Sequence, residues 1–117
     1  MRAKAPPFRA EVRQVNGKAI LDLHGEINGL ADEAINAAYA EASRANPETI
    51  LLNFSDVDYI NSTGIALIVG LLAQARQAHI PLHTYGLSDH YVEVFRITRL
   101  SDFMTIHTDE AELLGQV

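Results

Sequence analysis

The sequence predicts an α/β domain on a mixed, mostly parallel sheet that opens with a β-hairpin and carries helices after its later strands. Three observations lead there. Two alternating segments flank Asn16-Gly17 near the start. The hydrophobic period turns helical at Leu30. From Thr49 onward, short β-rich apolar runs alternate with helical stretches, which is the pattern of strand–helix–strand crossovers.

Each element has its own warrant. Phe8, Ala10 and Val12 alternate with Arg9, Glu11 and Arg13, the period of a half-buried strand over residues 8–15. Asn16-Gly17 tolerates positive φ at both positions, the strongest short hairpin signal. Ala19 to His24 is the returning strand. From Leu30 to Ala45, Ala31, Ala34, Ile35, Ala38, Ala42 and Ala45 form one stripe, opposite Asp32, Glu33, Glu41 and Arg44. Asn46-Pro47 ends that helix, because the residue before proline avoids the α region. Thr49 to Phe54 is a buried strand by length and composition, and Ser55 to Ile60 is a connection. A second helix runs from about Thr63 to Ala78, and Pro81 stops it. Leu82 to Tyr85 is a strand, Ser88 caps a helix to Ile97, and Phe103 to His107 is the last strand. A closing helix is expected over Asp109 to Leu114, with Thr108 as its cap. In domain terms, residues 1–7 form a flexible tail and residues 8–117 one folded unit.

Composition narrows the function. A chain of 117 residues suits one domain with one core. Hydrophobic residues at 48% and charged residues at 21% exclude intrinsic disorder as the main state. Nine Lys and Arg against fifteen Asp and Glu give a net charge of −6. That argues against nucleic acid as a partner, since phosphate backbones need a basic face. With no Cys, disulfides, thiolate catalysis and zinc–thiolate or iron–sulfur sites are excluded. Met1 to Pro7 lacks the apolar stretch of a signal peptide, and Ile65 to Ala73 is too short to span a bilayer. The expected location is the cytoplasm, without direct membrane insertion.

Chemistry concentrates in Asn61-Ser62-Thr63-Gly64, where the chain hands over to a helix. The first N–H groups of a helix lack internal partners, so capping alone accounts for hydroxyl and amide side chains there. Two features point further. Leu67 and Leu71 lie one turn apart, off the stripe of Ile65, Ile68, Val69 and Leu72, and are expected to form an exposed partner-binding face. A helix N-terminus also favours anions, so a phosphate on Ser62 gains stabilisation there. Competing sites are weaker. His79 and His83 are separated by Pro81 and share no helix face, so zinc is disfavoured. His24, His90 and His107 read as solvated or strand-end residues. Asp56 and Asp58 read as solvent-facing or turn-capping acids. No nucleotide motif and no Gly-x-Ser-x-Gly elbow occurs.

Asn61-Ser62-Thr63-Gly64-Ile65-Ala66-Leu67 resembles the Asp-Ser-Ser/Thr-Gly-Leu-Gly/Ala-Leu segment of the STAS domain family, best known from bacterial anti-sigma factor antagonists. Gly25-Glu26-Ile27-Asn28 is similar to that family's Gly-Glu-Leu-Asp, and Phe95 to Leu100, with Phe103 and Ile106, to its closing helix-to-strand segment. The similarity spans about Phe8 to Leu114, with elements in the family's order.

This resemblance implies a STAS fold of the antagonist type and a non-catalytic signalling module that needs no cofactor. It implies binding to an anti-sigma factor that is also a histidine-kinase-like serine kinase. Phosphorylation at Ser62 would switch the module off, and a phosphatase would restore it. Asn28, Asn61, Ser62, Thr63, Gly64, Leu67 and Leu71 are the partner-binding residues this implies, with Thr63 helping to cap the helix. Asn28, Asn53 and Asn61 stand where antagonists commonly carry Asp. Each change keeps the hydrogen-bonding shape and removes a charge, so the site repels phosphate less. A kinase that reads those acids would find it a poorer substrate. The alternative is a constitutive STAS subunit of a larger assembly, a lipid transporter or a stress-signalling complex, without a phosphoswitch.

Overall fold

A computed structural model of the chain describes residues 7–107. Most of the expected tail and the expected helix from Asp109, with its Thr108 cap, lie outside those residues. Strands β1 (Arg9–Val15) and β2 (Lys18–Ile27) form the antiparallel hairpin. Its turn places Asn16 at φ 52° and Gly17 at φ 80°, the positive-φ pair a two-residue hairpin requires. A short 3-10 turn, Gly29–Ala31, leads into α1 (Asp32–Arg44). Then follow β3 (Thr49–Ile60), α2 (Ser62–Gln77), β4 (Leu82–Tyr85) and α3 (Asp89–Ile97). A second 3-10 turn, Leu100–Asp102, precedes β5 (Thr105–His107).

The five strands lie in the order β1-β2-β3-β4-β5, with every pair after the hairpin parallel. The three helices share one core with one face of the sheet. Leu21, Leu23, Ile50, Leu52 and Phe54 from the strands meet Ile35 and Tyr39 of α1, Ile68 and Leu72 of α2, and Phe95 of α3. Each such fully buried aliphatic or aromatic side chain contributes about 1.5–3 kcal/mol relative to exposure. The other face carries a smaller cluster of Ile20, Leu51 and Tyr85, flanked by Val15.

Three strands depart from expectation. β2 does not end at His24 but runs on through Gly25-Glu26 to Ile27. β3 does not end at Phe54 but continues through Ser55-Asp56-Val57-Asp58-Tyr59 to Ile60. It stays paired with β2 up to Ile27↔Ile60, through register shifts near His24 and Gly25. β4 pairs with β3 only as far as Asn53↔Tyr85, so the extension has a strand beside it on the β2 side alone, and most of its residues are exposed. β5 is shorter than expected because residues 100–102 form the 3-10 turn, and Phe103 is exposed rather than in a strand.

Candidate functional site at the start of α2

The ends of β2 and β3 and the 3-10 turn converge on the first turn of α2. Asn61 is the N-cap: its backbone is extended, and its Oδ1 accepts the Gly64 N–H at 2.8 Å. Asn61 N–H donates to the Ile27 carbonyl at 3.2 Å. On the opposite side of the same chain segment, Ile60 N–H donates to the Tyr91 hydroxyl at 2.8 Å. Gly64 is buried against β2. A Cβ there would stand 2.1 Å from the Ile27 carbonyl oxygen and 3.0 Å from Ile60 Cγ2, so only glycine admits this approach. Asn28 caps the neighbouring 3-10 turn, its Oδ1 accepting the Leu30 N–H at 2.9 Å. Gly29 faces the Thr63 methyl.

Ser62 and Thr63 are the first two residues of α2, and both are exposed. Neither hydroxyl makes a hydrogen bond among the described residues, so Thr63 does not help the cap; Asn61 alone does that. The first turn of this helix, 16 residues long, holds no acidic residue. Its positive end is therefore uncompensated, and an anion there gains about 0.3–1 kcal/mol.

The expected apolar face is corrected. Leu71 has 0% exposure and belongs to the core, and Leu67 is half-buried against it. The reason is α1: Gln74, one turn past Leu71, donates to Asn36 of α1 at 3.2 Å, so this side of α2 faces its neighbour helix. The exposed stripe is instead Ser62, Ala66, Val69 and Ala73, with Gly70 beside it. Val69 within this stripe is 44% exposed, and Leu30, in the 3-10 turn that packs against α2, is 91% exposed. Leu30 lies outside the expected site, and Tyr91 reads in the sequence as a packing residue of the third helix, which it is, but not as the acceptor of the Ile60 N–H. Leu30 falls outside the helical stripe that begins at Ala31, and that offset was the available signal.

Asn28, Asn61, Ser62, Thr63 and Gly64 are thus brought together, whereas Asn53 is not. Asn53 lies on the helix-free face, where its Nδ2 donates to Asp22 Oδ1 at 2.7 Å and its Oδ1 accepts the Ser55 N–H at 3.0 Å. Arg13 grips the same Asp22 carboxylate with two nitrogens. Burial pushes the Asp22 carboxyl up, but hydrogen bonds from Arg13 and Asn53 and the charges of Arg13 and His24 outweigh it, leaving the pKa below 3.8. Nearby, His24 and Asp56 are hydrogen-bonded at 2.6 Å; His24 is partly buried rather than solvated, whereas Asp56 faces solvent as expected, its side chain 73% exposed. His24 Nε2 lies 2.9 Å from Glu11 Oε1, an ion-pair distance without hydrogen-bond alignment. Among the described residues no group of three or more His, Asp or Glu side chains is placed to hold a metal. No helix among them is long and apolar enough to cross a membrane.

Comparison with known proteins decides the family. The STAS domain profile matches residues 9–113. The chain belongs to the STAS domain family. A relative named anti-sigma-B factor antagonist, from Listeria monocytogenes, is 31% identical over 91 residues, covering 78% of this chain and 80% of its own. Among solved structures, an anti-sigma factor antagonist from Mycobacterium paratuberculosis superposes with TM-score 0.79 at 14% identity, covering 94% of this chain and 93% of its own. The phosphorylated form of the Bacillus cell fate determinant SpoIIAA gives 0.70 at 23% identity, covering 92% and 97%. These likenesses establish the antagonist-type STAS fold, with its five-stranded sheet and helices. As a member of this family with relatives named as anti-sigma factor antagonists, the chain is a non-catalytic regulatory protein rather than an enzyme.

Proposed function

We propose that this STAS domain is a cytoplasmic anti-sigma factor antagonist that binds an anti-sigma factor with serine-kinase activity and is released by phosphorylation at Ser62. One observation carries the reading: Ser62 is exposed at the uncompensated positive end of α2, at the head of an exposed stripe of Ala66, Val69 and Ala73. Leu30 adds apolar area beside it. We therefore read the partner face as this stripe together with Asn28, Asn61, Ser62 and Thr63, a reading that the burial of Leu71 supports. A phosphate adds about −1.5 to −2 charges at pH 7. The lone helix end stabilises that dianion in the free protein, but an apolar interface closing over it would have to strip its water, which favours dissociation. A phosphatase returns the domain to its binding form.

A second reading has its own support. Asn28, Asn53 and Asn61 replace acids common in antagonists, and Asn61 and Asn28 are committed to capping. A constitutive subunit of a larger assembly would use the same face without phosphate. Affinity for the serine-kinase anti-sigma factor of the same cell separates the two. The switch predicts that Ser62→Ala binds as wild type and Ser62→Asp binds much more weakly. Equal affinities remove the electrostatic mechanism and favour the constitutive subunit.

A further inference from the structure

We propose that Tyr91 of α3 is a positioning residue for Ser62, its hydroxyl clamping the Ile60 peptide so that the first turn of α2 keeps its free N–H groups aimed at one point. The proposal rests on the reading of Ser62 as the phosphate-bearing residue and names what holds that residue in place.

The need for a clamp follows from the topology. In a parallel sheet, successive N–H groups of a strand point to opposite neighbours. Asn61 N–H points to β2, where Ile27 accepts it at 3.2 Å. Ile60 N–H therefore points the other way, toward the side of β4. There β4 has already ended, since its pairing with β3 stops at Asn53↔Tyr85. A buried amide with no strand beside it must find another acceptor. Tyr91 supplies one: its hydroxyl accepts the Ile60 N–H at 2.8 Å and donates to the Ile60 carbonyl at 3.4 Å. The tyrosine itself is anchored. It is buried, its own N–H donates to the Ser88 cap at 3.3 Å, and the His90 ring packs edge-on at 4.7 Å. Ile60 is directly joined to the cap residue Asn61, so the peptide held by α3 on one side and β2 on the other sets where Ser62 begins.

The test compares full-length wild type with Tyr91→Phe, which keeps the ring and removes only the hydroxyl. Tyr39→Phe is the control, because the buried Tyr39 hydroxyl has no hydrogen-bond partner among the described residues. Amide exchange followed residue by residue should rise about tenfold at Ile60, Asn61 and Gly64 in Tyr91→Phe, with Leu21 and Leu52 unchanged. Each protein is then prepared with phosphoserine at position 62, and its second ionisation is followed by phosphorus NMR. The wild-type phosphate should titrate about 0.2–0.7 pH unit below the usual value of about 6, because the helix end favours the dianion. Tyr91→Phe should return it toward 6, and Tyr39→Phe should not. A depressed wild-type value that Tyr91→Phe leaves in place, or unchanged exchange at Ile60, overturns the role of Tyr91. A wild-type phosphate that titrates at the free value sinks instead the reading of Ser62 as an anion site, and this proposal with it.

Discussion

Replacing Gly64 with alanine probes the packing that presents the site. The new Cβ would meet the Ile27 carbonyl oxygen at 2.1 Å and its carbon at 2.8 Å, where ordinary contact begins at 3.4 Å. The obstacle is backbone, so no side chain can turn aside. The helix start must retreat by about 1.3 Å (3.4 − 2.1), enough to break the 3.2 Å bond from Asn61 N–H to Ile27. Overpacking of this kind costs about 1–3 kcal/mol, and loss of that hydrogen bond adds about 1. The gain in helix propensity from Gly to Ala, about 1 kcal/mol in a helix interior, offsets part of this. A net loss of about 2 kcal/mol is expected, or roughly 8 °C in Tm for a chain of 117 residues. Gly70→Ala provides the matched contrast: nothing lies within 4 Å of its added Cβ, so the same substitution should stabilise by about 0.5–1 kcal/mol. Urea and thermal unfolding of both variants read the two signs. A Gly64→Ala protein as stable as wild type would refute the close approach of α2 to β2.

Three further outcomes follow from the burial and charge pattern. Leu71→Ala should cost about 2–5 kcal/mol in urea unfolding, while Leu30→Ser should change stability by no more than about 0.5 and weaken binding of the anti-sigma factor, because one side chain is core and the other is surface. Asp22 has a pKa held below 3.8, so its contribution is fully present above that value and is lost as pH falls through the lower folded value; Asp22→Asn should flatten the acid limb of the stability curve there. His83 is driven below the usual 6.5 by burial, with His107 and Lys18 adding to it. The unfolded chain then binds the proton more readily, so stability falls on acidification below 6.5, and an NMR titration should place the His83 midpoint under that value.

Elements whose signal is local were legible in the sequence. The Asn16-Gly17 turn, the Ser88 cap and the limits of β4 need only neighbouring residues to specify them. The motif at the start of α2 was legible for the same reason, since capping and the close approach at Gly64 leave residue types in register. What was not legible depended on distant partners. The extension of β3 is polar, and only its pairing with the far end of β2 makes it a strand. Leu71 reads as surplus to one helical stripe until α1 is placed against it. Tyr91 reads as a packing residue, because the amide it satisfies belongs to a strand 31 positions earlier. Asn53 sits in the sequence beside the motif, yet the pleat turns it to the helix-free face.

The measurement closest to the central claim is tandem mass spectrometry of the protein after incubation with ATP and the serine-kinase anti-sigma factor of its own cell, followed by a binding assay on the product. A single phosphate on Ser62, absent from Ser62→Ala and accompanied by loss of the complex, is the predicted result. An unmodified Ser62, or a modified one that still binds as tightly, contradicts it.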